Sequence, residues 1–248
     1  MDSFADIDGL RIRYQQAGRG DPVLLLHGWG GSIESFYPVY TALSNQFQTT
    51  TIDFPGHGKS SLPPRPWRVS DFLDCTLRLM DLLQLERPHI VSHSFGGRVT
   101  IQLAARHPQR AGRLLFAAGA GVRPPLSLRR KIGRGLAAFK SLAPAALREK
   151  LMPYLASQDY LNAGALRPTL QHVIAEDLTP LLSSIQAKCL LIWGDQDRET
   201  PLYCGQTMHR LIPDNDLIVF PGAGHFPYLD QSNKFNLLAL RFLRGESE

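Results

Sequence analysis

The pentapeptide Ser92-His93-Ser94-Phe95-Gly96 carries the strongest chemical signal in this chain. It follows the apolar stretch Pro88-His89-Ile90-Val91 and precedes Gly97-Arg98-Val99-Thr100-Ile101-Gln102-Leu103-Ala104-Ala105. That order reads as a buried strand, a very tight turn and a helix, with Ser94 pushed into solvent and the helix N-terminus behind it. Strand and helix nearly touch in such a turn, so small residues are required two places to either side. Gly96 meets this need and Ser92 nearly does. Ser94 is therefore a candidate nucleophile, against the plainer reading of an N-capping serine.

A serine hydroxyl is a weak nucleophile at neutral pH. It requires a base within reach, a carboxylate to orient that base, and donors for the oxyanion. The candidate base is His225, one of eight histidines. It stands apart because Gly222-Ala223-Gly224-His225-Phe226 forms a glycine-rich loop after the predicted strand Leu217–Phe220, and catalytic groups gather at the C-terminal ends of strands in open α/β sheets. The acid is limited by charge. Between Arg87 and Arg148 there are twelve Lys or Arg and no Asp or Glu, so no carboxylate follows the strand near Arg113–Ala117. The next strand end, Trp193-Gly194-Asp195-Gln196-Asp197-Arg198, offers Asp195 and Asp197, and Asp197 is preferred because it lies further into the loop. For the oxyanion, the Phe95 N–H follows the nucleophile at the helix start. The loop His27-Gly28-Trp29-Gly30-Gly31, after the strand Val23–Leu26, supplies the Trp29 N–H.

Positioning these groups takes strands that alternate with helices. Ile7–Tyr14 reads as a hairpin turning at Asp8-Gly9. Val23–Leu26, Phe47–Ile52, Ile90–Val91, Arg113–Ala117, Ala187–Trp193 and Leu217–Phe220 read as strands. Helices are predicted over Ile33–Leu43, Val69–Leu85, Ser94–His107, Pro201–Leu211 and Ser232–Leu243. Such alternation implies an α/β class, a mostly parallel sheet with helices on both faces. From Val122 to about Ser184 helical patterns continue without a strand, which implies a helical cap inserted after the sixth strand. Residues 1–121 and 185–248 then form the core, and 122–184 the cap.

Five segments in this order are similar to the α/β-hydrolase superfamily: His27-Gly28-Trp29-Gly30, Asp53-Phe54-Pro55-Gly56-His57-Gly58-Lys59-Ser60, Ser92-His93-Ser94-Phe95-Gly96-Gly97, Leu191-Ile192-Trp193-Gly194-Asp195-Gln196-Asp197 and Gly222-Ala223-Gly224-His225. The resemblance covers essentially the whole chain. It implies the α/β-hydrolase fold, Ser94 as nucleophile, Asp197 as acid and His225 as base. It also implies that Asp53–Ser60 is a structural turn beside the site. A serine at position 94 separates this chain from the branch whose nucleophile is an aspartate.

The expected activity is hydrolysis of small carboxylic esters. His27, Gly28, Trp29, Phe95 and Tyr228 are the expected pocket residues, pointing to an apolar acyl group. The same triad could cleave a carbon–carbon bond or a lactone, and a ligand receptor on this scaffold is the alternative of another class. No cofactor or metal is expected, since His-Glu-x-x-His and paired Cys-x-x-Cys are absent. Nucleotide binding at Gly56-His57-Gly58-Lys59-Ser60 is excluded by Asp53, which stands where a phosphate-binding loop needs glycine. Gly119-Ala120-Gly121 lacks the third glycine of a dinucleotide fingerprint.

Composition sets the wider bounds. A 44% hydrophobic share with 20% charged residues is that of a globular protein, and no apolar run approaches the roughly 20 residues of a membrane span. Cys75, Cys189 and Cys204 are odd in number and widely spaced, so buried thiols in the cytoplasm are expected rather than disulfides. The net charge of +5 concentrates in the cap. There Leu128, Ile132, Leu136 and Phe139 form an apolar stripe, with Arg129, Arg130, Lys131, Arg134 and Lys140 largely off it. The expectation is a cap helix with its charges in water and no membrane association. No motif supports a nucleic-acid partner.

Overall fold

A computed structural model describes residues 1–123 and 163–246 of the chain. Eight strands form one sheet: β1 (Ser3–Ile7), β2 (Leu10–Ala17), β3 (Pro22–Leu26), β4 (Gln48–Ile52), β5 (His89–His93), β6 (Leu114–Ala117), β7 (Cys189–Gly194) and β8 (Asn215–Phe220). Their spatial order is β1-β2-β4-β3-β5-β6-β7-β8. The hairpin β1–β2 and the pair β2–β4 are antiparallel, and every later pair is parallel. The helices are α1 (Tyr37–Ser44), α2 (Val69–Leu82), α3 (Phe95–Arg106), α4 (Arg167–Ala175), α5 (Leu202–Leu211), α6 (Pro227–Asp230) and α7 (Ser232–Arg244). This is the α/β-hydrolase fold anticipated above.

Strands β3, β6 and β7 are almost wholly apolar because both faces of the sheet are covered. Alternate residues point to opposite sides. Leu24, Leu26, Ile90, Leu114, Phe116 and Leu191 pack with α2 and α3 on one side. Val23, Leu25, Val91, Leu115, Leu190 and Ile192 pack with α1 and α7 on the other. Strand β5 lies in the middle, with Val91 opposite Leu25 on one flank and Leu115 on the other. The C-terminal end of β5, where Ser94 follows, is thus the best supported point of the sheet edge.

Two predicted helices have different ends. The helix expected over Ile33–Leu43 is a 3-10 turn at Ile33–Phe36 followed by α1. Pro38, in the first turn of α1, has no N–H to give the Glu34 carbonyl, so one α-helix cannot run through. The helix expected to Leu85 stops at Leu82: Gln84 takes a positive φ of 56° and the Leu85 N–H returns to the Met80 carbonyl. The three cysteines are free and buried.

After β6 the chain leaves the sheet and returns at β7. Of this insertion the described residues 163–184 hold a 3-10 turn at Gly164–Leu166, α4, and a second 3-10 stretch at Thr179–Ser184, with no strand among them. The apolar stripe from Leu128 to Phe139 and its basic companions lie outside the described residues. No helix among the described residues is long and apolar enough to cross a membrane.

The turn after β4 is held by a buried ion pair. Asp53 is fully buried. Its Oδ1 accepts the Ile33 N–H at 2.7 Å, and its Oδ2 accepts the Lys59 N–H at 2.8 Å and Arg13 Nη1 at 3.2 Å. Arg13 is also buried and reaches Glu34 and Asp2 at 2.7 Å each. Gly58 sits at φ +51°, and a Cβ there would lie 2.1 Å from the Asp53 carboxylate. One carboxylate therefore ties β2, the loop before α1 and the 53–60 turn together. Removing it leaves a buried guanidinium without its deepest partner, a loss generally worth about 3–5 kcal/mol. Asp53→Ala is expected to lower the denaturant midpoint accordingly; an unchanged midpoint would refute this role.

Candidate active site

Ser94 occupies the tight turn between β5 and α3 with φ 46° and ψ −110°, a strained conformation for a residue with a side chain. The surroundings over-determine it. Its N–H donates to the Ala117 carbonyl at 3.2 Å, and its own carbonyl accepts from Gly97 at 2.9 Å and Ala120 at 2.8 Å. Gly96 must be glycine, because a Cβ there would lie 2.1 Å from the Leu26 carbonyl oxygen. Ser92 is tolerated on the strand side: it is fully buried and its hydroxyl points to the Leu115 carbonyl at 3.4 Å.

The loop after β3 lies against this turn. A Cβ on Gly28 would fall 3.2 Å from the Ser94 Cβ and 2.6 Å from His93 Nδ1. His27 braces the loop from beneath. Its Nδ1–H donates to the Gly28 carbonyl at 2.7 Å, and its Nε2 accepts the Phe54 N–H at 3.0 Å. Burial pulls its pKa down to about 4, so the ring stays neutral in that tautomer. The Trp29 N–H donates to no other group among the described residues. The Phe95 N–H is the first of α3, a position without an intrahelical acceptor. The Phe95 N–H directly follows Ser94, and Trp29 follows Gly28, the residue packed against the Ser94 side chain.

Asp197 is buried and accepts four hydrogen bonds. Oδ1 takes the N–H groups of Glu199 at 2.8 Å and Thr200 at 3.0 Å. Oδ2 takes the Thr200 hydroxyl at 2.8 Å and His225 Nδ1–H at 2.9 Å. Burial pushes the Asp197 carboxyl up, but the His225 and Thr200 bonds outweigh it and hold the group below the usual carboxylate range. Asp195 is exposed, and its Oδ1 accepts the Gly222 N–H at 2.8 Å, a turn contact away from His225. Nδ1 of His225 faces Asp197, and Nε2 has no hydrogen-bond partner among the described residues.

No hydrogen bond joins Ser94 Oγ to His225 among the described residues. In an unliganded site this link is often long and tightens only with substrate. The two are coupled through His93. Its Nε2–H donates to the His225 carbonyl at 2.9 Å, and the ring centroids are 4.7 Å apart. Burial draws the His93 pKa down to about 3, so the ring adds no charge beside the base. His93 thus fixes the His225 loop to the residue preceding Ser94. His93 does not stand out in the sequence, because nothing local distinguishes a histidine whose partner is 132 positions away, whereas Thr200 has a local signal in its place three residues after Asp197.

His27 and Tyr228, expected along the pocket, are packed behind it. Tyr228 is fully buried, stacked on Phe36 at 4.8 Å and edge-on to His93 at 5.1 Å. Phe95, also expected along the pocket, is buried too, its ring edge-on to Phe54 at 5.1 Å and Phe72 at 4.9 Å in the core, while Trp29, edge-on to Phe95 at 5.4 Å, is only half-buried and Gly28 lies against Ser94. Among the described residues no group of three or more His, Cys, Asp or Glu side chains could hold a metal ion.

Residues 23–236 match the model of the alpha/beta hydrolase family. A 2-hydroxy-6-oxo-6-phenylhexa-2,4-dienoate hydrolase of Comamonas testosteroni is 28% identical over 98% of this chain and 94% of its own length. An uncharacterized protein of Mycobacterium bovis is 28% identical over 97% of this chain and 80% of its own. Among solved structures, a bacterial membrane phospholipase A superposes with a TM-score of 0.81 at 25% identity, over 99% of this chain and 86% of that one.

Proposed function

The chain belongs to the alpha/beta hydrolase family, and from that premise we propose that it is a serine hydrolase cleaving small carboxylic esters through an acyl-enzyme. The observation that carries this reading is the 2.9 Å contact of His225 Nδ1 with buried Asp197, at the sheet edge where Ser94 is held in a strained turn. His225 Nε2 takes the Ser94 hydroxyl proton as Oγ attacks the ester carbonyl. The Trp29 and Phe95 N–H groups hold the oxyanion of the tetrahedral intermediate. His225 then gives its proton to the leaving alcohol. In the second half it takes a proton from water, whose oxygen attacks the acyl carbon, and hands that proton to Ser94 Oγ as the Oγ–acyl bond breaks and the acid leaves. Asp197 keeps the ring in the productive tautomer and offsets the charge it gains. No cofactor enters this sequence.

A second reading is cleavage of a carbon–carbon bond by the same residues. It is favoured by the relative named as a 2-hydroxy-6-oxo-6-phenylhexa-2,4-dienoate hydrolase. Kinetics on a panel of short acyl esters, lactones and vinylogous diketones separates the two. The proposal expects the esters to give the highest kcat/KM. A diketone turned over faster than every ester would replace it with the second reading.

A further inference from the structure

Thr200 stands where the chain passes from the loop after β7 into α5. Pro201 follows it and confines its backbone to extended values. Both ends of the residue are fixed further. The Thr200 N–H donates to Asp197 Oδ1 at 3.0 Å, and the Thr200 carbonyl accepts Trp193 Nε1–H at 2.7 Å. These bonds close the loop without help from the side chain, and valine would fill the same half-buried space. The hydroxyl nevertheless has three polar neighbours: Asp197 Oδ2 at 2.8 Å, the Ala118 carbonyl at 3.0 Å and His225 Nδ1 at 3.3 Å. Carboxylate and carbonyl only accept, so the hydroxyl hydrogen serves one or the other, while a lone pair of the oxygen faces His225 Nδ1.

The Ala118 carbonyl is aimed at this point by an unusual backbone. Ala118 follows β6, is fully buried and takes a φ of 49°, a left-handed conformation that a residue with a side chain keeps only where its surroundings enforce it. Its N–H donates to the Ile192 carbonyl at 2.9 Å. The neighbouring residues hold the nucleophile turn: Ala117 accepts the Ser94 N–H at 3.2 Å, and the Ala120 N–H donates to the Ser94 carbonyl at 2.8 Å. One short segment after β6 therefore grips Ser94 on one side and Thr200 on the other. No hydrogen bond joins Ser94 to His225 among the described residues, so the scaffold must set the distance between them. His93 fixes the main chain of His225 through its carbonyl. The Nδ1 edge of the ring is left to Asp197 and Thr200, and of these two side chains Thr200 is the one bonded to the segment that carries Ser94.

We propose that Thr200 is a positioning residue, its hydroxyl holding the His225–Asp197 pair in register with Ser94 through the Ala118 carbonyl. This rests on the serine-hydrolase reading and adds a residue on which that chemistry depends. The first test measures ester kinetics and unfolding midpoints for the wild type, Thr200→Val and Thr200→Ser. Thr200→Val removes the hydroxyl at nearly constant shape and should lower kcat about tenfold or more, as loss of a bond to a charged group does, with KM within about twofold. Thr200→Ser, which keeps the hydroxyl, should stay within about threefold of the wild type in kcat. Thr200→Ala serves the same comparison where Thr200→Val does not fold. A Thr200→Val kcat within about threefold of the wild type, an equal fall in Thr200→Ser, or a loss confined to KM would each overturn the proposal. The second test needs no substrate. Protein with isotope-labelled histidine is compared by NMR, the His225 Nδ1 proton being assigned by its disappearance in His225→Gln. Its resonance should be sharp in the wild type and in Thr200→Ser, and broadened by exchange with water in Thr200→Val. Equal line widths in all three, or no such resonance in the wild type, would overturn the proposal. Should the wild type hydrolyse no ester while the resonance behaves as expected, the ester reading fails and the placement of His225 by Thr200 stands.

Discussion

Replacing Ser94 by alanine is expected to lower ester turnover by about 10⁴- to 10⁶-fold, with KM little changed. The size follows from the role: without Oγ no acyl-enzyme forms, and only the amides of Trp29 and Phe95 remain to favour the tetrahedral state. The fold should survive. Ser94 is held by backbone bonds to Ala117, Gly97 and Ala120, none of which involves the hydroxyl. The expected record is an unchanged far-UV spectrum and a Tm within about 2 °C of the parent, since no buried contact is removed. Turnover within about tenfold of the parent would take the nucleophile role away from Ser94.

Asp197→Asn is expected to cost about 10⁴-fold in kcat near pH 7.5, through a tautomer and not a lost contact. Oδ1 of Asp197 receives two backbone N–H groups, from Glu199 and Thr200. In the asparagine variant that position must remain the carbonyl oxygen, so the amide NH₂ takes the place of Oδ2. It then faces His225 Nδ1, which gave a proton to the carboxylate at 2.9 Å. An NH₂ can only donate. Nδ1 becomes the acceptor, the ring proton moves to Nε2, and the lone pair needed at Ser94 is gone. Asp195→Asn is the matched control, since the Asp195 carboxylate accepts the Gly222 N–H and makes no contact with His225. It should keep kcat within about threefold of the parent, as surface changes away from the chemistry usually do. Equal effects of the two substitutions would contradict the placement of the acid at position 197.

Much of this architecture is legible in the residues themselves. The all-apolar strands Val23–Leu26 and Ile90–Val91 declare a sheet covered on both faces, and the small residues around Ser94 declare a tight turn. What is not legible is tertiary. His27, His57, His93 and His225 look alike as letters, yet the fold turns three of them onto backbone carbonyls and sets the fourth against the Asp197 carboxylate. Periodicity can assign a side chain to a face, but it cannot name the carbonyl that side chain will meet. Tyr228 illustrates the limit: an aromatic three places beyond His225 reads as a pocket wall, whereas α6 turns its ring inward onto Phe36. The break at Pro38 and the stop at Leu82 are decided by single hydrogen bonds, which the apolar pattern across both segments does not reveal.

Whether the strained serine between β5 and α3 is a nucleophile made reactive by its neighbours can be read from one covalent experiment that needs no knowledge of the natural substrate. A p-nitrophenyl alkylphosphonate is incubated with the protein, and the modified peptide is mapped by mass spectrometry. One adduct per chain is expected, on the peptide bearing Ser94, with release of one equivalent of nitrophenol and loss of esterase activity in step. An adduct on any other residue, or full activity beside a labelled Ser94, would contradict it.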